Sequence, residues 1–327
     1  MGNITITKAQ LKTENVLNMY DRVSVSISGG SDSDDMLDLI TKLDLKCDVR
    51  YVFYDTGLEY AATKRHLDYL DKKYSINIDR VKVKKPIPVT VKEKGQPFVS
   101  KQASEMLSRL QSHNFKWEDG TYETLIKKYP NCSSALKWWT NEKEDDRCKI
   151  ERNKYLKEFI MMYPPEQHGM ERISGACCDE AKKKPDNKYR KENNIQLSVL
   201  GIRKAEGGTR QVAYKECFNE IKGKFLPILW FKNVDKYIYE KEYNVVHSEC
   251  YTVYGLERTG CAGCPFGRKF EFELKVLNKY EPKLFKAVNN IFKESYAYTR
   301  KYKDFIKTQG GIQISLFNNY TEEIKEN

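Results

Sequence analysis

The chain has 327 residues, a net charge of +11 and 12% aromatic residues, 22 of them Tyr. That length can bury a sizeable core in one large or two modest domains, and the aromatic content excludes a chain disordered throughout. No run approaches the ~20 apolar residues of a membrane span, and the longest apolar stretch, Phe225 to Phe231, carries a proline. The first residues lack the basic and apolar regions of a secretion signal, so a cytoplasmic protein without a membrane partner is expected. In that compartment nine cysteines point to metal ligands, reactive thiols or buried hydrophobes rather than disulfides. The positive charge suits an anionic ligand such as a nucleotide or nucleic acid. The densest basic run, Lys182 to Lys191, reads more readily as a solvated helix face than as a phosphate patch.

Residues 1–20 predict a helix leading into the first strand, where Val23, Val25 and Ile27 alternate with serines. Ser28-Gly29-Gly30-Ser31-Asp32-Ser33 then breaks the run, and Met36, Leu37, Leu39, Ile40 and Leu43 follow at helical spacing. Strand, glycine turn and helix in that order let the backbone approach a ligand closely and aim unpaired N–H groups at an anion. Ser28, Ser31 and Ser33 add hydroxyls, and Asp32 or Ser33 is the expected helix cap. A second strand over Val49–Tyr54 ends at Asp55-Thr56-Gly57, ahead of a helix over Tyr60–Tyr74 and a third strand over Ile76–Val83. Alternation of strands and helices implies a parallel, doubly wound sheet, with ligand-contacting groups at strand ends.

From about Pro97 to Pro165 the pattern shifts to short helices, with loops expected at 114–121 and 129–134. Aromatics there, among them Trp138 and Trp139, read as the core of a helical insertion rather than as a base-stacking surface. Sheet character returns at Ile195 to Ile202, followed by Gly201, Arg203, Glu206 and Arg210 in a glycine-rich loop suited to oxyanion binding by guanidinium forks. Phe270 to Lys307 predicts a long amphipathic helix or helix pair.

Cys177 and Cys178 are adjacent, and Cys261 and Cys264 form C-A-G-C followed by Pro265. Zinc, a redox disulfide and an iron–sulfur cluster all use C-x-x-C. The remaining cysteines fit no ligand spacing and read as structural or buried.

Taken together these segments resemble the phosphoadenosine phosphosulfate (PAPS/APS) reductase family of the PP-loop, adenine nucleotide alpha hydrolase-like superfamily. The likeness spans about residues 20–268 and includes its S-G-G-x-D-S loop, its D-T-G-x-E segment, its G-x-R-x-x-E loop and its Pro227 to Ile238 region. Cys-Cys, 82 intervening residues and Cys-x-x-Cys are similar to the iron–sulfur members, including the DNA phosphorothioation sulfurtransferase type. The resemblance implies an α/β fold: a doubly wound, mostly parallel sheet with a helical insertion and a helical C-terminal segment. The implied organisation is 1–96 and 166–215 as two parts of a nucleotide-binding domain, 97–165 as the insertion, and 216–327 as a cluster-binding helical segment.

It further implies a [4Fe-4S] cluster on Cys177, Cys178, Cys261 and Cys264. A nucleotide, ATP with magnesium or APS/PAPS, is implied on Ser28, Gly29, Gly30, Ser31, Asp32, Ser33, Asp55, Thr56, Gly57, Gly201, Arg203 and Arg210. Asp32, Arg203 and Arg210 are the implied catalytic residues. The chain departs from the family in having Ser31 where many ATP-using members carry Lys, Gly207 for Ser, and no cysteine after Cys264 to serve as a reductase nucleophile. The leading expectation is therefore a pyrophosphate-releasing enzyme of sulfur transfer or nucleic-acid modification, with DNA, tRNA or a sulfur-donor protein as partner. A sulfonucleotide reductase using an external or relocated thiol, and a nucleotide sensor without catalysis, are the alternatives.

Overall fold

The computed structural model describes residues 3–207, 213–267 and 269–323, with side chains as far as residue 309. It divides into two compact units: Met1–Ile87, Asp179–Ala262 and Glu271–Leu284 form the first, and Pro88–Cys178, Gly263–Phe270 and Phe285–Asn327 the second.

The first unit opens with helix α1 (Ile4–Leu17), whose Asn3 side chain caps the N–H groups of Thr5 and Ile6. Strands β1 (Arg22–Ser26), β2 (Asp48–Asp55), β3 (Ile78–Lys82), β4 (Leu197–Leu200), β5 (Phe218–Asn219) and β6 (Lys224–Phe225) follow. Among the described residues they form one sheet in the order β3-β2-β1-β4-β6-β5, parallel except for β5. Helices α2 (Ser31–Thr41) and α3 (Ala61–Tyr74) are the crossovers from β1 to β2 and from β2 to β3.

β1 lies inside the sheet and is covered on both faces: Ser24, between Val23 and Val25, is fully buried and meets the Ser198 hydroxyl at 3.3 Å. Val23 and Val25 are fully buried, and Val25 stands in register with Tyr51 of β2 and Val199 of β4. They join Met36, Leu37, Leu39 and Ile40 of α2 in one apolar core. Chain order reverses across β1, with β2 on one side and β4 on the other. In an open parallel sheet that reversal opens a crevice beyond the strand ends, where ligands bind.

The second unit is built on helices Lys101–Ser112, Tyr122–Lys128, Ser133–Trp139, Leu156–Met162 and the long C-terminal Lys293–Glu323. Phe98, Phe159 and Tyr298 meet at ring-centroid separations of 4.7–6.4 Å. Trp138 and Trp139 are 1% and 0% exposed, so the aromatics of this region are packing residues. The loop expected over residues 129–134 instead forms a turn of 3-10 helix at Pro130–Cys132 and the start of the next helix at Ser133. Proline at the first helical position needs no N–H partner, which the loop reading overlooked. No helix among the described residues is long and apolar enough to cross a membrane.

Candidate functional site

Beyond the ends of β1 and β4, the first unit holds a cavity of about 410 Å³. Ser28, Gly30, Ser31, Asp32 and Ser33 line one side, Gly201, Arg203 and Glu206 another, and Tyr251, Glu257, Arg258 and Thr259 a third. The loop keeps its shape by local hydrogen bonds. Ser28 N donates to Ser33 Oγ at 3.0 Å, Gly30 N to Ser28 Oγ at 3.3 Å, and Ser31 N to the Tyr251 hydroxyl at 3.0 Å. Gly29 takes φ +67°, a left-handed conformation that glycine adopts without strain.

The cap differs from the expectation. Gly30, which has no side chain to cap with, is the N-cap of α2; Asp32 and Ser33 lie inside the first turn, where Ser33 Oγ accepts from the Ser28 amide and Asp32 turns to two cations. The positive end of α2 thus opens into the cavity through the Gly30 turn. A Cβ built on Gly30 would lie 3.2 Å from Ser28 Oγ and from Thr259 Oγ1, and 3.4 Å from Tyr251 Oη. Three hydroxyls therefore converge on a space that only the missing side chain keeps open. A Cβ on Gly201 would come within 2.8 Å of the Asp32 carbonyl oxygen and of Ser33 Cα. The end of β4 is thus pressed directly against the first turn of α2.

Behind the loop lies a buried chain of charges. Arg203 donates through Nε to Asp32 Oδ1 at 2.7 Å and through Nη1 to Asn233 Oδ1 at 3.0 Å. The Lys236 ammonium reaches Asp32 Oδ1 at 2.9 Å, Asp35 Oδ2 at 2.7 Å and Glu240 Oε1 at 3.1 Å. His247 links Glu240, at 2.7 Å, to Asp34, at 2.9 Å, and His66 meets the same Asp34 oxygen at 3.0 Å.

Burial opposes ionisation of Asp32, but Lys236 and Arg203 outweigh it and hold the carboxyl below the usual carboxylate range. Asp35 is fully buried, and desolvation pushes its carboxyl up to about 7 despite Lys236. Burial works against the His247 imidazolium, yet the bonds it donates to Asp34 and Glu240 raise it to about 9. Asp35, Glu240 and His247 bring ligand-type atoms close together, but the cation already among them is Lys236.

The structure brings Ser28, Gly30, Ser31, Asp32, Ser33, Gly201 and Arg203 together around the cavity, and Gly29 shares the same loop. The cavity lining leaves out Asp55, Thr56 and Gly57. Thr56 is buried and donates to Glu59 at 2.6 Å, and Asp55 pairs with Lys64 at 3.1 Å. Arg210 lies outside the described residues.

Cys177 and Cys178 open a helix that continues as a π turn over Asp179–Lys183. Cys261 lies 3.6 Å from Thr56 Oγ1. Before Cys264, Gly263 takes φ +62° with the Tyr296 hydroxyl on its carbonyl, so the C-x-x-C segment is the tight turn its glycine suggests. Cys261 belongs to the first unit, and Cys177, Cys178 and Cys264 to the second. Lys236, Tyr251, Arg258 and Thr259 were not singled out from sequence. The available signal was Glu257-Arg258-Thr259-Gly260 directly before the first cysteine of C-x-x-C.

A mostly parallel sheet whose switch point carries a serine–glycine turn on a helix N-terminus is the arrangement of an open α/β ligand-binding domain. Residues 22–137 match the family model described as Phosphoadenosine phosphosulfate reductase domain. An uncharacterized protein of Methanocaldococcus jannaschii is 24% identical over 289 residues, 85% of this chain and 44% of its own length. The chain thus spans less than half of that curated relative.

Among solved structures, the phosphoadenylyl-sulfate (PAPS) reductase of Candida auris in its phosphate complex is similar at 14% identity and a TM-score of 0.39, covering 77% of this chain and 87% of its own. The U34-tRNA thiolase of Methanococcus maripaludis with its [4Fe-4S] cluster is similar at 12% identity and a TM-score of 0.39, covering 93% and 80%. The NH3-dependent NAD synthetase of Campylobacter jejuni is similar at 14% identity and a TM-score of 0.34, covering 90% and 93%.

Proposed function

We propose that the cavity at the ends of β1 and β4 binds an adenine nucleotide by its phosphates. We further propose that the chain is an ATP-dependent, pyrophosphate-releasing enzyme of sulfur transfer or nucleic-acid modification. The observation that carries the reading is the open space at Gly30, ringed by the hydroxyls of Ser28, Tyr251 and Thr259 at the positive end of α2. In this reading an acceptor oxygen attacks the α-phosphorus, the bond to the bridging oxygen breaks, pyrophosphate leaves, and the acceptor proton passes to solvent. The loop and Arg203 offset the charge that develops on the departing phosphates. Asp32, ionised and held by two cations, keeps Arg203 in the pocket wall. Arg210, from the same loop, is proposed as a further cation on the sequence pattern alone, and Asp55, Thr56 and Gly57 as bordering residues. Magnesium would accompany ATP.

Cys177, Cys178, Cys261 and Cys264 are proposed as the ligands of a [4Fe-4S] cluster. Four thiolates are the donor set such a cluster takes, and bound there it would supply redox and electrostatic chemistry. The acceptor would be DNA, tRNA or a substrate brought by a sulfur-donor protein. A sulfonucleotide reductase needs an accessible thiolate at the nucleotide. Cys217 and Cys250 are only 7% and 0% exposed, and burial pushes the Cys250 thiol up, so neither is placed for that work.

Anaerobically purified protein tested separately with ATP, APS and PAPS checks the reading. ATP should raise the melting temperature and release pyrophosphate once the acceptor is present. Stabilisation by APS or PAPS alone, with sulfite released, would replace it with a reductase.

A further inference from the structure

We infer that Arg258 is the residue that binds the charged group beyond the α-phosphate, which is the pyrophosphate part of ATP or the sulfate of a sulfonucleotide; this rests on the nucleotide reading above. Among the described residues, Arg203 and Arg258 are the cations that line the cavity, and Lys236 reaches its Asp32. Arg203 is 7% exposed and fixed by Asp32 and Asn233. Lys236 is spent on Asp32, Asp35 and Glu240. Both neutralise the buried carboxylates of α2 and cannot leave them without exposing an uncompensated charge.

Arg258 is placed differently. Its side chain is 63% exposed, and its ion pair with Glu206 is 3.4 Å long, beyond the ~2.7–2.9 Å of a close charge-assisted bond. Glu206 would not be orphaned if that pair opened, because its other carboxylate oxygen also accepts from the Arg203 amide at 3.5 Å.

The backbone beside Arg258 is tied to the anion loop. The Tyr251 hydroxyl accepts from Ser31 N at 3.0 Å and from Thr259 N at 3.3 Å, so one side chain joins the first turn of α2 to the residue after Arg258. The root of Arg258 is thereby fixed at the loop while its guanidinium stays in solvent on a long flexible stem. A first oxyanion seated among the Ser28, Tyr251 and Thr259 hydroxyls leaves the next one toward the open side of the cavity. There a planar, permanently charged fork can take two of its oxygens.

Calorimetry with ATP, APS and AMP on the wild type, Arg258→Ala and Arg258→Lys at one salt concentration tests this. Arg258→Ala should weaken ATP or APS about ten- to a hundredfold, leave AMP within about twofold, and be partly rescued by Arg258→Lys. Loss confined to ATP assigns the residue to the outer phosphates, and loss confined to APS assigns it to the sulfate. Affinities for ATP and APS unchanged in Arg258→Ala, or an equal loss for AMP, would overturn the assignment alone. A wild type that binds none of the three would overturn it together with the nucleotide reading.

Discussion

Replacing Gly30 with valine tests the site most directly, because the substitution leaves the backbone dihedrals unstrained and fills the pocket. Gly30 has φ −92° and ψ 151°, extended backbone that any L-residue adopts, so no strain arises from the dihedrals. The new Cβ would already touch Ser28 Oγ and Thr259 Oγ1 at 3.2 Å, and the two γ-methyls fill the space between the hydroxyls. An incoming phosphate then loses the close approach to the loop. Forfeiting two hydrogen bonds to a charged group at about 1.5–3 kcal/mol each amounts to about 3–6 kcal/mol. At about 1.4 kcal/mol per decade, binding falls about 10²- to 10⁴-fold. Titration calorimetry with ATP and with inorganic pyrophosphate measures the loss, while urea unfolding and the visible absorbance of the proposed cluster report whether the fold is intact. Gly30→Ala should fall between wild type and valine. A folded Gly30→Val that binds ATP within about threefold of wild type would refute the pocket assignment.

Gly201→Ala should destabilise the first unit by about 1–3 kcal/mol and weaken pyrophosphate binding, since its Cβ meets backbone atoms of Asp32 and Ser33 at 2.8 Å; an unchanged urea midpoint would contradict that packing. Lys236→Met leaves Asp32 and the fully buried Asp35 short of their ammonium and should cost about 3–5 kcal/mol. Adding Asp35→Asn should recover part of that loss, and the coupling is read from a double-mutant cycle in urea. His247, raised to about 9 in the folded chain, contributes stability that is fully present below its ordinary value of about 6.5 and lost as pH rises through about 9. The melting temperature should therefore fall between those values, and His247→Gln should flatten that slope. Cys177→Ser should lose iron and labile sulfide, about four of each per chain in the wild type; Cys132→Ser, in the core of the second unit, should keep them, and zinc without sulfide would identify a different metal.

The elements nearest the site were legible because each is written locally. Apolar alternation over Val23 to Ile27 and a double glycine before a helical run leave one reasonable reading, strand–turn–helix. The parallel sheet followed from repeating that unit. Gly201 and Arg203 were legible as a strand-end loop for the same reason.

Partners distant in sequence were not legible. Periodicity made Met36, Leu37, Leu39 and Ile40 the buried face of α2, yet Asp34, Asp35 and Asp38 on the same helix are 1%, 0% and 1% exposed. A pattern of apolar positions cannot anticipate that burial, because a buried carboxylate depends on the cation or hydroxyl brought to it. Asp35 has Lys236, 201 positions away, and Asp38 has the hydroxyls of Tyr74 and Tyr239 at 2.8 and 2.7 Å. Tyr251 reaches the Ser31 amide across 220 positions, and nothing in its own neighbourhood marks it among 22 tyrosines. The sequence by itself settled where the first strand breaks into a glycine turn at a helix N-terminus, since turn and helix geometry depend on a few adjacent residues. Only the tertiary fold decided which charges stand around that opening and which of them are already spent, since a side chain's electrostatic work is set by neighbours that the chain brings in from elsewhere.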